Sequence, residues 1–176
     1  MFVPRLTEKE LNREDPVTRL LTNILLWTPG SLKKLADGAT TFTPILQTTE
    51  ESQEVDSMQF QFQAQPRELL ASFVPGFEKL TLAARVAGSV KSAFPGGKPG
   101  AAPEGEAPPV EGEAPKDGLA ESSAPLNLVV FADVDLLHDR LWMKELGRLP
   151  GGQVLIQPIS ENVDLLKNAI ESVSGG

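Results

Sequence analysis

Apolar and polar positions alternate between two periods along the chain, and the switches mark its elements. The continuous run "NILLW" (23–27) reads as a short buried strand. "TTFTPILQTT" (40–49) is β-branched and strand-like, with Pro44 marking an edge or a bulge. "MQFQFQ" (58–63) alternates as a half-buried strand does, and "EKLTLAARVAGSV" (78–90) reads as a strand of the sheet interior. "LNLVVFAD" (126–133) is apolar without alternation and ends in an acid, the profile of a central parallel strand covered on both faces. "GGQVLIQPIS" (151–160) supplies one more short strand.

Helical signals fall between these runs. Asp15 precedes Pro16 in "REDPVTRLL", a cap residue followed by a proline at the first helical position. "PGSLKKLADG" (29–38) predicts a short helix stopped by Gly38, and "QPRELLASF" (65–73) another starting at Pro66. In "VDLLHDRLWMKEL" (134–146), Leu137, Leu141 and Met143 or Lys144 recur at helical spacing. The terminal "ENVDLLKNAIESVSGG" (161–176) is amphipathic, with Val163, Leu166, Ala169, Ile170 and Val173 on one face. This β/α alternation predicts an α/β fold, a mostly parallel sheet flanked by helices.

One segment breaks the pattern. Residues 95–125, "PGGKPGAAPEGEAPPVEGEAPKDGLAESSAP", hold 7 of the 15 prolines and 6 of the 15 glycines, so they cannot bury enough apolar area to offset their ordering entropy. They predict a disordered loop or linker. Residues 1–94 and 126–176 are then two parts of one interrupted α/β domain.

Charge and composition narrow the function. A formal net charge of −8 without any basic tract argues against nucleic acid, whose phosphates need clustered Lys and Arg. The absence of cysteine removes disulfides, thiolate zinc sites and cysteine nucleophiles. No apolar run approaches the roughly 18 residues of a membrane span, and the N-terminus does not have the form of a signal peptide.

The richest chemistry lies in "VVFADVDLLHDRLW" (129–142). An apolar strand followed by D-x-D is how phosphotransferases of the haloacid dehalogenase type begin. Asp133 would there be the nucleophile and Asp135 the acid/base beside magnesium. Leu137 stands where that family uses Thr or Val, and only 41 residues follow Asp135, too few for its later motifs. Aspartates at a strand end also cap helices without any metal, which is the favoured reading. His138, the chain's one histidine, lacks the companions that a metal site or a serine triad requires. "FPGGKPG" (94–100) departs from phosphate-loop spacing, and Trp27 and Trp142 read as packing residues.

Longer pieces carry a family resemblance. "DPVTRLLTNILLWTPGSLKKLADGATTFTPILQTT", "PRELLASFVPGFEKLTLAARVAGSVKSAFP" and "LNLVVFADVDLLHDRLWMKEL" together resemble the GldG-like proteins, auxiliary components of ABC-type transport systems related to a gliding-motility component. "ENVDLLKNAI" matches that family's last helix through Asn162, Asp164, Asn168 and Ala169, whereas "KELGRLPGGQVLIQPISEN" departs from it. The resemblance implies a flavodoxin-like or amidotransferase-like sheet without catalytic residues, working beside an ABC permease and ATPase. It implies an extracytoplasmic (periplasmic) domain, joined to the membrane through segments outside this sequence, which enters the family domain part-way. It carries over no catalytic, cofactor or metal residues. The expected role is non-catalytic binding of protein or ligand, with Asp133, Asp135, Asp139 and Arg140 as the candidate binding edge at the strand's carboxyl end. The alternative is a magnesium-dependent phosphohydrolase using Asp133 and Asp135.

Overall fold

A computed structural model describes residues 3–36, 38–61, 66–94 and 119–175. Among the described residues, seven strands and four helices follow in order: β1 (Arg5–Leu6), β2 (Ile24–Leu25), β3 (Thr41–Gln47), α1 (Ser57–Gln61), α2 (Pro66–Ala71), β4 (Thr81–Gly88), β5 (Leu126–Phe131), α3 (Asp139–Trp142), β6 (Met143–Arg148), β7 (Val154–Pro158) and α4 (Asn162–Ser174). They form three small sheets, β1-β2, β3-β4-β5 and β6-β7. Every strand pair among them is antiparallel.

This overturns the expected α/β architecture. Parallel strands need crossover helices that cover the sheet, and among the described residues only α4 exceeds six residues. β5 is therefore not a central parallel strand but an edge strand, antiparallel to β4, with Leu128 and Val130 exposed. β4 does take the interior place its sequence predicts, and the register of β3 slips between Pro44 and Gln47, where the proline removes a ladder donor.

Other expectations also shift. Asp15 caps as read, its Oδ1 accepting the Val17 N–H at 2.9 Å, but the chain makes only turns over 16–20. Among the described residues of 29–38 no helix forms, because Leu32 donates its N–H to the Thr81 carbonyl and bridges to β4 instead. The strand expected at 58–63 begins inside α1, and its residues 62 and 63 lie outside the described residues. The helix expected over 134–146 is a single turn, α3, after which the chain enters β6 and turns back as a hairpin. Of the linker, residues 95–118 lie outside the described residues. The Ser92 N–H bonds the Ala120 carbonyl and the Ser122 N–H bonds the Val90 carbonyl, extending the β4–β5 pairing.

The core lies where α4 packs against the sheets. Leu6, Val17, Ile24, Leu26, Ile45, Leu46, Leu82, Leu136 and Leu165 form its centre. The buried stripe of α4 runs through Asn162, Leu165 and Ala169, with Ile170 and Val173 exposed, so it is rotated by one residue from the apolar count. A polar residue, Asn162, leads that stripe.

Candidate functional site

β5 delivers Asp133 beyond its carboxyl end, beside the loop that leaves β2. Asp133 is 9% exposed, and its carboxylate accepts two backbone N–H groups, from Trp27 to Oδ2 at 2.6 Å and from Asp135 to Oδ1 at 2.8 Å. The first bond ties chain positions 106 residues apart, and the second closes a local turn. Burial raises the Asp133 pKa above the ordinary aspartate range. The two N–H bonds work against that rise, and the Asp135 charge adds to it.

The other three edge residues gather nearby but face water. Asp135 is half-buried, and its carbonyl accepts the His138 N–H at 2.7 Å. Asp139 and Arg140 open α3 and are exposed. The cap of α3 is His138, not an aspartate: its Nδ1 accepts the Arg140 N–H at 3.2 Å. The same ring meets Trp27 edge-on, with centroids 5.0 Å apart. Trp27 and Trp142 are half-buried rather than core residues. No group of three or more His, Cys, Asp or Glu side chains that could hold a metal ion occurs among the described residues.

Sequence reasoning missed the polar clamp beneath this edge. Asn162 is fully buried, and all its side-chain bonding capacity is used. Its Oδ1 accepts the Leu25 N–H at 3.0 Å and the Ser160 hydroxyl at 2.7 Å; its Nδ2 donates to the carbonyls of Leu25 and Leu136 at 2.7 and 2.8 Å. The neighbouring Glu161 carboxylate accepts the N–H groups of Thr22 and Asn23. Both residues fasten the start of α4 to β2, and thereby fix the loop that Asp133 holds. An apolar periodicity count scores Asn162 as a surface residue; the signal available was an Asn at the first turn of an otherwise apolar stripe.

A second missed feature is the ion pair of Arg85 and Asp15. Nε and Nη2 of Arg85 reach the two Asp15 oxygens at 2.9 and 3.0 Å, while its other N–H groups reach Asn127 and Ser172. β4 is thus joined to the N-terminal turn, to β5 and to the end of α4. Burial alone raises the Asp15 pKa, but the Arg85 hydrogen bonds, the Val17 N–H and the Arg85 charge outweigh it, and the net shift is downward.

An open groove of about 1050 Å³ is bordered by Leu6, Thr28, Gly30, Glu51, Glu54 and Leu82 among others. Thr28 at its wall has φ 51°, a left-handed conformation that a β-branched residue rarely adopts. The Gly30 N–H donates to the Ala132 carbonyl at 2.7 Å, so this wall is fastened to the same strand end that carries Asp133.

A family model described as an ABC-type uncharacterized transport system matches residues 1–169. No curated protein and no solved structure matches the chain. No helix among the described residues is long and apolar enough to cross a membrane.

Proposed function

The chain belongs to the ABC-type uncharacterized transport system family, as an auxiliary component, and from that premise we propose that it works by binding rather than by catalysis. The observation that carries the reading is the Asp133 carboxylate. A phosphoryl-accepting aspartate must be open to its substrate, whereas Asp133 is buried and each of its oxygens is engaged by a backbone N–H that fixes the 27–30 and 133–136 loops. The aspartate pair then shapes an edge, and Asp139 and Arg140 are its exposed contact residues. The partners proposed are the permease and ATPase of the transport system, the permease being met on the extracytoplasmic side, in the manner of GldG-like proteins.

Site-specific photo-crosslinking in membranes containing the transport system tests this. A crosslinker at Arg140 should capture the permease, and one at Glu171 on α4 should not. Capture from Glu171 alone would place the contact elsewhere. Phosphatase activity lost in Asp133→Asn would replace the binding role with the hydrolase.

A further inference from the structure

None of Asp133, Asp135, Asp139 and Arg140 lines the open groove beside the 28–31 loop. One of its walls is the segment after β3, residues 48–57, whose stretch "EESQEVD" (50–56) carries four acids and no base. Hydrogen bonds hold that wall in place. The Thr48 and Ser52 hydroxyls bond each other at 2.8 Å, the Ser52 carbonyl accepts the Gly76 N–H at 2.8 Å, and Gln53 Oε1 accepts the Val74 N–H at 3.0 Å. The Glu54 carboxylate accepts the Ser31 hydroxyl and the Lys33 ammonium, which fastens the wall to the 28–31 loop. Within the groove apolar surface outweighs polar surface: Leu6 and Leu82 are buried there, and Val55 and Leu80 are half-buried.

Charge decides what this groove takes. Four carboxylates line it against one cation, Arg5. Glu10 is engaged by the Thr7 N–H, and Glu54 by Ser31 and Lys33. Glu51 and Asp56 are exposed and form no ion pair among the described residues. We propose that the groove binds an extended peptide segment of another protein in which apolar and basic residues alternate. Extended backbone turns alternate side chains to opposite sides, so the apolar ones reach Leu6, Leu80 and Leu82 while the long basic ones extend to Glu51 and Asp56 at the rim. A second copy of this chain, with its net charge of −8, and the chain's own acidic 95–125 segment both bring the wrong sign. The groove is also open to solvent, whereas small-molecule pockets enclose most of their ligand.

Titration of the isotope-labelled chain with a blocked hexapeptide of alternating leucine and lysine, followed by amide NMR shifts at about 0.15 M salt, tests this. The amides of Thr28, Ser52, Val55 and Leu82 should shift and saturate. Glu51→Gln combined with Asp56→Asn should keep the wild-type melting temperature and raise Kd about fivefold or more. Glu14→Gln combined with Glu171→Gln removes the same charge at exposed positions outside the groove and should leave Kd within about twofold. A hexalysine peptide should bind about tenfold more weakly or worse, because it leaves the apolar surface uncovered, and a leucine–glutamate peptide should not bind. No saturating shift with the leucine–lysine peptide, shifts confined to other surfaces, equal weakening by the two charge-matched pairs, or hexalysine binding as tightly would overturn the proposal.

Discussion

The side chain of Asn162 bonds both backbone groups of Leu25, accepting its N–H at 3.0 Å and donating to its carbonyl at 2.7 Å. The first residue of α4 therefore completes β2 as a neighbouring strand would, and does so from inside the core. Removing it leaves the Leu25 and Leu136 groups without partners in a place water does not reach. Asn162→Ala is expected to cost about 3 kcal/mol, and Asn162→Leu no less, since neither restores a bond. Urea denaturation of the two variants checks it; a change within a few tenths of a kcal/mol would show that water replaces the amide.

Leu141 is 1% exposed in the single turn of α3 and anchors the Asp139–Arg140 edge to the core. Leu141→Ala should destabilise by roughly 2–5 kcal/mol through the cavity it opens. Arg140→Ala, one residue away and exposed, should leave the denaturation midpoint unchanged while losing any partner contact.

The two buried aspartates should respond to acid with opposite sign. Asp15 has its pKa lowered in the folded chain, so its stabilisation is full above the pKa of an unfolded aspartate and fades as pH falls through the folded value. Asp133 has its pKa raised, so its contribution is full below the unfolded pKa and is lost as pH rises through the folded value. Stability measured from pH 2 to pH 7 for Asp15→Asn and Asp133→Asn should give differences from wild type that slope in opposite directions. Two differences sloping alike would contradict the assigned environments.

The elements legible in the sequence were those whose pattern has one reading. β3, β4 and α2 follow from their runs and prolines, and the irregularity beside Pro44 follows from its missing N–H. Direction was not legible. The apolar run 126–131 specifies a strand, but nothing in it distinguishes a parallel neighbour from β4 running the other way, and the exposure of Leu128 and Val130 removes the two-sided burial that the parallel reading assumed. The stretch 134–148 defeated periodicity because Leu137 and Leu141 fit a helix while the chain changes to a strand at Met143. "LPGGQ" between two apolar runs was the hairpin signal there. At the candidate site, the position of Asp133 at a strand end was readable. Its bond to Trp27 was not, because that contact spans 106 residues and leaves no local trace.

Thermal denaturation of wild type and Asp133→Ala, with and without millimolar magnesium, tests the central claim that this carboxylate builds the edge rather than performing chemistry. A metal that binds only the folded chain must raise its melting temperature. The account predicts that magnesium leaves the wild-type curve unmoved and that Asp133→Ala melts lower in either buffer, having lost the Trp27 and Asp135 bonds. A magnesium-dependent rise in the wild type that Asp133→Ala abolishes would contradict it.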